Sequence, residues 1–234
     1  MTEPVIEAIE VAKILGSGAA QVQALKGVSL SVKGGELALL MGPSGSGKTT
    51  LLSILGCMLT PTTGTVRVRG HSTKGASPEE LAKLRRDNVG FVFQSYHLFP
   101  TLNATDNVRM ALDVRDERTK GAVARAKDAL AKVGLSHKTG AYPGELSSGE
   151  QQRVAIARAI VANASAILAD EPTAALDGEN GRAIMIILST IAKDHSRGVL
   201  VVTHDARLLP FADRVIDLED GRIVRAEQKS GSRR

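Results

Sequence analysis

The sequence predicts an α/β fold, a parallel sheet built around a phosphate-binding loop and interrupted by a helical subdomain. Three observations predict it. The stretch Gly42-Pro43-Ser44-Gly45-Ser46-Gly47-Lys48-Thr49 fits G-x-x-x-x-G-K-[ST], follows the apolar run Leu37-Ala38-Leu39-Leu40-Met41 and opens an apolar-rich helix. Apolar runs of strand length at 166–169 and 199–202 are separated by a helical stretch over 181–193, the strand–crossover–strand order of a parallel sheet covered on both faces. From Gln94 to about Ala162 the pattern is mostly helical.

In chain order, Val28-Ser29-Leu30-Ser31-Val32 alternates as a half-buried strand does, and Gly34-Gly35 breaks it before the buried run at 37–41. The helix after the loop is predicted over 48–59. Pro61 and Gly64 mark a turn before the alternating strand Thr65-Val66-Arg67-Val68-Arg69. Ser77 is an N-cap, Pro78 occupies the first helical position and Glu79-Glu80 suit the helix dipole, so 77–86 reads as a helix. Strand character returns over 89–93. Further on, Val123, Ala126, Leu130 and Val133 fall on one helical face, and Gly134 ends that helix.

The 234 residues suit one medium domain or a core with a subdomain inserted. A net charge of +5 is modest, the basic pairs lie in segments of mixed charge, and aromatics make up only 3%. A nucleic-acid site needs a basic stripe interleaved with aromatics, so no nucleic-acid partner is expected. The single cysteine, Cys57, excludes an internal disulfide framework and fits a reducing compartment. No apolar stretch approaches the ~20 residues of a membrane span, and Met1-Thr2-Glu3-Pro4 lacks a secretory pattern. A cytoplasmic protein is expected, with any membrane role supplied by a partner.

The chemistry sits at the predicted strand ends. Glycines in the loop let backbone N–H groups curl around phosphate oxygens, Lys48 reaches the β- and γ-phosphates, and Thr49 ligates Mg²⁺; Thr50, next on the helix, is grouped with the nucleotide-binding residues. Asp170-Glu171 closes an apolar strand, where Asp170 can hold Mg²⁺ directly or through water and Glu171 can orient and deprotonate the attacking water. A solvated acidic pair is the plain alternative. His204 closes the run at 199–203 and reads as a γ-phosphate sensor by position alone. The other histidines, His71, His97, His137 and His195, read as structural or exposed, and none shows metal-ligand spacing. Cys57 reads as core. Gln94 stands where the chain leaves the core for the helices, placed to touch Mg²⁺ or the water. The aromatic cluster Ser95-Tyr96-His97-Leu98-Phe99-Pro100 is either a satellite core or a protein-docking surface. Finally, Leu146-Ser147-Ser148-Gly149-Glu150 opens another helix. Ser147 with Glu150 makes a capping box, and the N–H groups around Gly149 offer a second anion site without a lysine.

In this order the motifs resemble the ATP-binding subunit of ABC transporters, over about residues 25–224. The segment 42–49 is similar to the Walker A loop, Gln94 to the Q-loop, 146–150 to the signature motif, 166–171 to Walker B, Ala175-Leu176-Asp177 to the D-loop and His204 to the switch histidine. The resemblance implies a P-loop NTPase core (1–94 and 163–227) with a parallel sheet and an antiparallel β-subdomain, an inserted helical subdomain (95–162) and a flexible tail (228–234). It implies ATP and Mg²⁺ as ligands and an ATP-dependent head-to-tail homodimer. There, Ser147 and Gly149 of one copy meet the γ-phosphate held by the other, with Asp177 at the same junction. An integral-membrane permease is the implied partner, which places the chain peripherally on the inner face of the cell membrane. Phrases such as Gly90-Phe91-Val92-Phe93-Gln94 and Gly149-Glu150-Gln151-Gln152-Arg153 look like the lipoprotein-release and macrolide-export branch, although amino-acid importers share much of this wording. A soluble ABC-type ATPase would carry a long coiled coil or a second cassette, and a P-loop phosphotransferase would not need 146–152.

Three positions depart from the family pattern. Ala174-Ala175 stand where the export branch often has Gly-Asn. Ser148 replaces the first signature glycine; serine carries a cost if the position needs φ > 0 or very close phosphate approach and otherwise adds a donor, and retained but slower hydrolysis is expected. No Phe, Tyr or Trp precedes Phe91, and Leu15 falls where an adenine-stacking ring is usual. Base stacking on an aromatic ring is worth about 1–3 kcal/mol, so weaker ATP affinity or a relaxed base preference is expected. A Leu15→Tyr variant should tighten ATP binding relative to GTP in equilibrium titrations; unchanged affinities for both would contradict this reading.

Overall fold

Periodicity along the chain builds two sheets and the helices that cover them. The structure is a computed structural model that describes residues 3–115 and 121–228. Strands β1 (Pro4–Leu15), β2 (Val22–Lys33), β4 (Thr63–Val68) and β5 (His71–Ser72) form an antiparallel sheet in the order β2-β1-β4-β5. Strands β3 (Leu37–Met41), β6 (Val89–Val92), β7 (Ala166–Asp170), β8 (Gly198–Val202), β9 (Arg214–Glu219) and β10 (Arg222–Gln228) form a six-stranded sheet in the order β10-β9-β3-β8-β7-β6, parallel except where β10 returns beside β9.

The pleat of β3 shows how the layers divide. Leu37 and Leu39 face one apolar cluster, with Ile167, Ala169, Val199 and Val201 of the neighbouring strands. Helices α3 (Ala104–Asp113), α4 (Ala122–Lys132), α5 (Ser148–Ile160) and α6 (Gly178–Ala192) pack their apolar faces into the same cluster. Ala38 and Leu40 face the opposite cluster, with α1 (Lys48–Leu55) and the inward residues of the antiparallel sheet. A strand buried on both faces has no polar face, which is why these runs read as continuously apolar. Helices α3, α4 and α5 all fall between β6 and β7 in the chain.

Several elements differ from the sequence expectations. Helix α1 ends at Leu55, short of residue 59. Gly56 caps it beneath the Phe91 ring, where an added Cβ would lie 1.9 Å from Phe91 Cζ, and Cys57 turns away at φ 56°. Cys57 is buried, as its reading as core requires, and burial pushes its thiol up to about 11. Val123 is 43% exposed, and the packed face of α4 is instead Ala122, Ala126, Ala129 and Leu130. Strand β4 begins at Thr63 and stops at Val68, with Arg69 already in a turn at φ 49°. Helix α2 (Pro78–Asn88) has the Ser77–Glu80 capping box and runs two residues past 86. Gln228 closes β10, while 229–234, expected as a flexible tail, and Met1-Thr2 lie outside the described residues.

Candidate functional site

The parallel register sets the site. Asp170 pairs with Val202, Leu40 also pairs with Val202, and each strand ends within a residue or so of that level. The chain segments leaving β3, β7 and β8 therefore emerge side by side, at the edge where ligands bind in open α/β sheets.

From β3 the chain enters the glycine loop. Gly42 (φ 147°) and Gly47 (φ 103°) need glycine twice over. A Cβ on Gly42 would lie 2.0 Å from the Leu218 carbonyl, and one on Gly47 2.5 Å from that of Ala24. The β9–β10 turn holds the loop from outside, with the Gly221 N–H donating to the Ser46 carbonyl at 3.0 Å. Lys48 is buried, and its Nζ donates to the carbonyls of Gly42 and Pro43, both at 2.7 Å. Ser46 Oγ is buried without a hydrogen-bond partner among the described residues. An ammonium folded onto its own loop, an unpartnered hydroxyl and the amino end of α1 together fit a polyphosphate, the anion such a cradle takes.

On the facing side, Asp170 ends β7 and accepts from the Thr49 hydroxyl; burial first, and then the Glu171 charge, raise its carboxyl above the usual range. Glu171 stands at φ 46°, rare for a residue with a side chain, while its N–H donates to the Val202 carbonyl at 2.9 Å. This turn brings Glu171 Oε1 to 2.7 Å from His204 Nδ1, whose ring follows β8 and stays 70% exposed. No group of three or more His, Cys, Asp or Glu able to hold a metal alone occurs among the described residues. A magnesium site made of Thr49, Asp170 and phosphate oxygens fits that donor set, since Mg²⁺ commonly relies on one or two protein oxygens plus substrate phosphates.

These groups line one cleft of about 770 Å³, within the usual range for a small-molecule site. Of the sequence-predicted residues, Pro43, Ser44, Gly45, Gly47, Lys48, Thr49, Thr50, Gln94, Asp170, Glu171 and His204 line it, with Gly42 and Ser46 in its loop. Leu15 lines it too, joined by Val22 and Ala24 of β2 and by Asp220-Gly221 of the β9–β10 turn, none of which sequence reasoning singled out. The Asp-Gly dipeptide at 220–221 was a readable turn signal; Val22 and Ala24 carried none. Leu15, Val22 and Ala24 give this wall of the cleft an aliphatic surface.

Ser147, Gly149 and Asp177 lie outside this cleft. Ser147 caps α5 through both arms of a capping box: its Oγ accepts from the Glu150 N–H at 3.3 Å and its own N–H donates to Glu150 Oε2 at 2.9 Å. The Ser147 N–H holds the Glu150 carboxyl below its usual range. Ser148 is exposed, is the first helical residue and has no positive φ, so the serine costs no backbone strain there. Asp177 caps α6 and borders a separate hollow with Thr173, Leu176 and Phe211.

The aromatic cluster divides between its two readings. Phe91 and Phe93 stack at 5.4 Å, and His97 lies on Phe93 at 4.7 Å, while Phe99 is 47% exposed. Together with Val114 they line a groove of about 370 Å³. Tyr96 and His97 both have positive φ, and Arg158 of α5 donates to both of their carbonyls, at 2.7 Å for Tyr96. The guanidinium thereby fastens the segment after Gln94 to the helix that begins at Ser148.

Comparison with known proteins agrees with this geometry. The family model described as ABC transporter matches residues 25–174. Over 222 residues the chain is 43% identical to the macrolide export ATP-binding/permease protein MacB of Shigella flexneri and to that of Escherichia coli strain K12. Each match covers 95% of this chain and 34% of the relative, so the chain spans about a third of the length of these curated relatives. Among solved structures it is similar to the ATP-binding cassette MJ0796 in a dimeric post-hydrolysis state bound to ADP and Pi, with 41% identity, a TM-score of 0.87, and 97% of this chain and 99% of that one covered. It is also similar to cbiO1 from Clostridium perfringens, part of an ABC transporter complex, at 27% identity and TM-score 0.85, over 97% of this chain and 89% of that one.

The raised Asp170 carboxyl has a measurable consequence. A group whose folded pKa exceeds its unfolded value stabilises the fold below the unfolded pKa, about 3.9 for Asp, and that contribution is lost as pH rises through the folded value. At neutral pH the ionised Asp170 is therefore a cost. Asp170→Asn should raise the melting temperature of the nucleotide-free protein at pH 7, with the gain shrinking toward pH 4; a variant equally or less stable at pH 7 would contradict the assignment.

Proposed function

The chain belongs to the ABC transporter family, and we propose that it is the ATP-hydrolysing subunit of an exporter-type transporter, a homodimer closed by ATP that drives an integral-membrane permease. One observation carries the dimer. The chain has two helix amino ends built for phosphate, at Lys48 and at Ser147, and only the first opens into the cleft with Glu171 and His204. A second copy turned head to tail supplies Ser147 and Gly149 to the γ-phosphate, and Asp177 to the same junction.

The residues divide the work as follows. Lys48 leaves the Gly42 and Pro43 carbonyls for the β- and γ-phosphates, exchanging neutral acceptors for charged ones, which make the stronger bonds. Thr49 and Asp170, with Gln94, would hold Mg²⁺, and the ion would neutralise the phosphate charge. Glu171 accepts a proton from the attacking water as its oxygen bonds the γ-phosphorus and the bond to the ADP oxygen breaks. His204 holds Glu171 in place at 2.7 Å and bonds the γ-phosphate. Leu15 and Val22 hold the base between aliphatic surfaces.

The MacB relatives are macrolide export ATP-binding/permease proteins, which supports a permease of the export kind acting with this chain. No helix among the described residues is long and apolar enough to cross a membrane. The chain works at the cytoplasmic face of the cell membrane, and the groove beside Phe99 is where the permease docks. Arg158 links that groove to α5, so motion at the ATP can reach the membrane partner. Purification from solubilised membranes should recover a permease with the chain; recovery of the chain alone would contradict this coupling.

Glu171→Gln preserves the shape of the residue and removes its basicity. It should bind ATP, abolish turnover by at least the roughly 10²-fold that a general base contributes, and elute as a dimer in size-exclusion chromatography with Mg-ATP. A variant saturated with ATP that elutes as a monomer would sink the head-to-tail reading.

A further inference from the structure

We propose that Asp220 is a specificity residue that reads the base, accepting from the N1–H and the 2-amino group of guanine. The cleft then takes GTP as a second nucleotide substrate. The inference rests on the nucleotide-hydrolysing reading above and deepens it at the end of the cleft that holds the base.

Leu15 and Val22 pair across β1 and β2 and are 38% and 62% exposed. Such an aliphatic wall packs against any base and separates them poorly, so discrimination has to come from polar groups beside it. Gln23 and Asp220 line the cleft with that wall. The Gln23 amide has a donor and an acceptor and suits either purine, whereas an ionised carboxylate only accepts. Asp220 is also fixed in place. It stands at φ 44° in the β9–β10 turn. The Gly221 N–H donates to the Ser46 carbonyl at 3.0 Å, and the Lys26 N–H donates to the Gly221 carbonyl at 2.8 Å. The turn is thereby tied to the phosphate loop and to β2, and a Cβ on Gly221 would lie 2.7 Å from the Ala24 carbonyl. Lys26 Nζ donates to Asp220 Oδ2 at 2.5 Å, the one side-chain hydrogen bond to this carboxylate among the described residues. Lys26 itself does not line the cleft. It grips one oxygen and leaves Oδ1 to a ligand. The ammonium also offsets a charge that would otherwise repel the polyphosphate, and it holds the Asp220 carboxyl below its usual range.

The two purines present different edges to such a group. Guanine offers its N1–H and 2-amino group side by side, two donors for the acceptors of one carboxylate. Adenine offers the N1 lone pair beside its 6-amino group, so the same carboxylate gains one bond and meets one repulsion. Hypoxanthine keeps the N1–H of guanine and lacks the 2-amino group, so it keeps one bond of the two. The Asp220 side chain is 87% exposed, which places the expected discrimination toward the low end for a bidentate contact to a base edge, about tenfold.

The test is equilibrium titration of the full chain with the magnesium complexes of GTP, inosine triphosphate and ATP, repeated with Asp220→Gly. That variant removes the carboxylate and accepts the positive φ of the turn. The wild type should bind GTP roughly fivefold tighter than inosine triphosphate, the difference of one hydrogen bond. In Asp220→Gly this ratio should fall to about 1. A turn brace without contact to the base would leave the ratio unmoved, because the two nucleotides differ only in the 2-amino group. Should Asp220→Gly fail to fold, Asp220→Asn keeps the side-chain size, tolerates the turn and exchanges an acceptor for a donor. It should shift the balance of GTP against ATP about tenfold toward ATP, and an unmoved balance counts against the proposal. Equal affinity of the wild type for GTP and inosine triphosphate, or a preference that survives in Asp220→Gly, overturns the role of Asp220 and leaves the ATPase reading intact. Binding of none of the three nucleotides overturns both.

Discussion

The alignment of three parallel strand ends is the constraint on which the rest of the molecule depends. Because β3, β8 and β7 stop at one level, the glycine loop, His204 and the Asp170-Glu171 pair leave the sheet within reach of a single ligand. A one-residue slip in any strand would reverse which side chains face which layer. Leu37 and Leu39 would then exchange clusters with Ala38 and Leu40, so the core itself enforces the register. Site geometry and hydrophobic burial are here the same fact. The cost appears as local strain. Glu171 sits at positive φ and the loop glycines approach neighbouring carbonyls too closely for any side chain, conformations that persist only where the surroundings over-determine them.

A second feature is how the catalytic edge is joined to the rest of α5. That helix begins beside Asn180 and, three turns later, its Arg158 holds the carbonyls of Tyr96 and His97. Burial lowers the pKa of the Arg158 guanidinium, and carbonyl acceptors compensate part of its desolvation. One rigid rod thus touches the segment after Gln94 at one end and the Asp177 turn at the other. In the proposed dimer, the same rod offers its amino end to the neighbour's ATP. The carboxyl end of this helix is fastened by the Arg158 hydrogen bonds, and its amino end packs closely against Asn180.

Much of this was legible in the chain. The glycine loop with its flanking strand and helix, the apolar runs of β7 and β8, and the caps at Ser77 and Ser147 were readable because each depends on local chemistry. What escaped reading depends on tertiary contact. Strand β1 has four register irregularities with β2, which blur its alternation. Helix α1 ends at Gly56, and only a glycine fits there beneath a ring distant in sequence, Phe91. Val123 has the period of a core residue, yet the neighbours of α4 take the adjoining face. In the site, Glu171 and His204 were visible as residues, whereas the left-handed turn that joins them was not. Val22 and Ala24 reach the cleft only because β2 folds back beside the loop. The conformational part of the question over Ser148 is answered by its helical, exposed setting.

The central claim is that the anion site at Ser147–Gly149 completes the cleft of a second copy. It is tested most directly by mixing chains that carry Ser44→Cys with chains that carry Ser148→Cys, in a Glu171→Gln background, and treating them with a short bis-maleimide. Cys57 is buried, with its thiol raised to about 11, and stays silent. The account predicts a crosslinked pair in Mg-ATP and almost none without nucleotide. No crosslink at saturating ATP, or the same yield with and without it, would contradict the account.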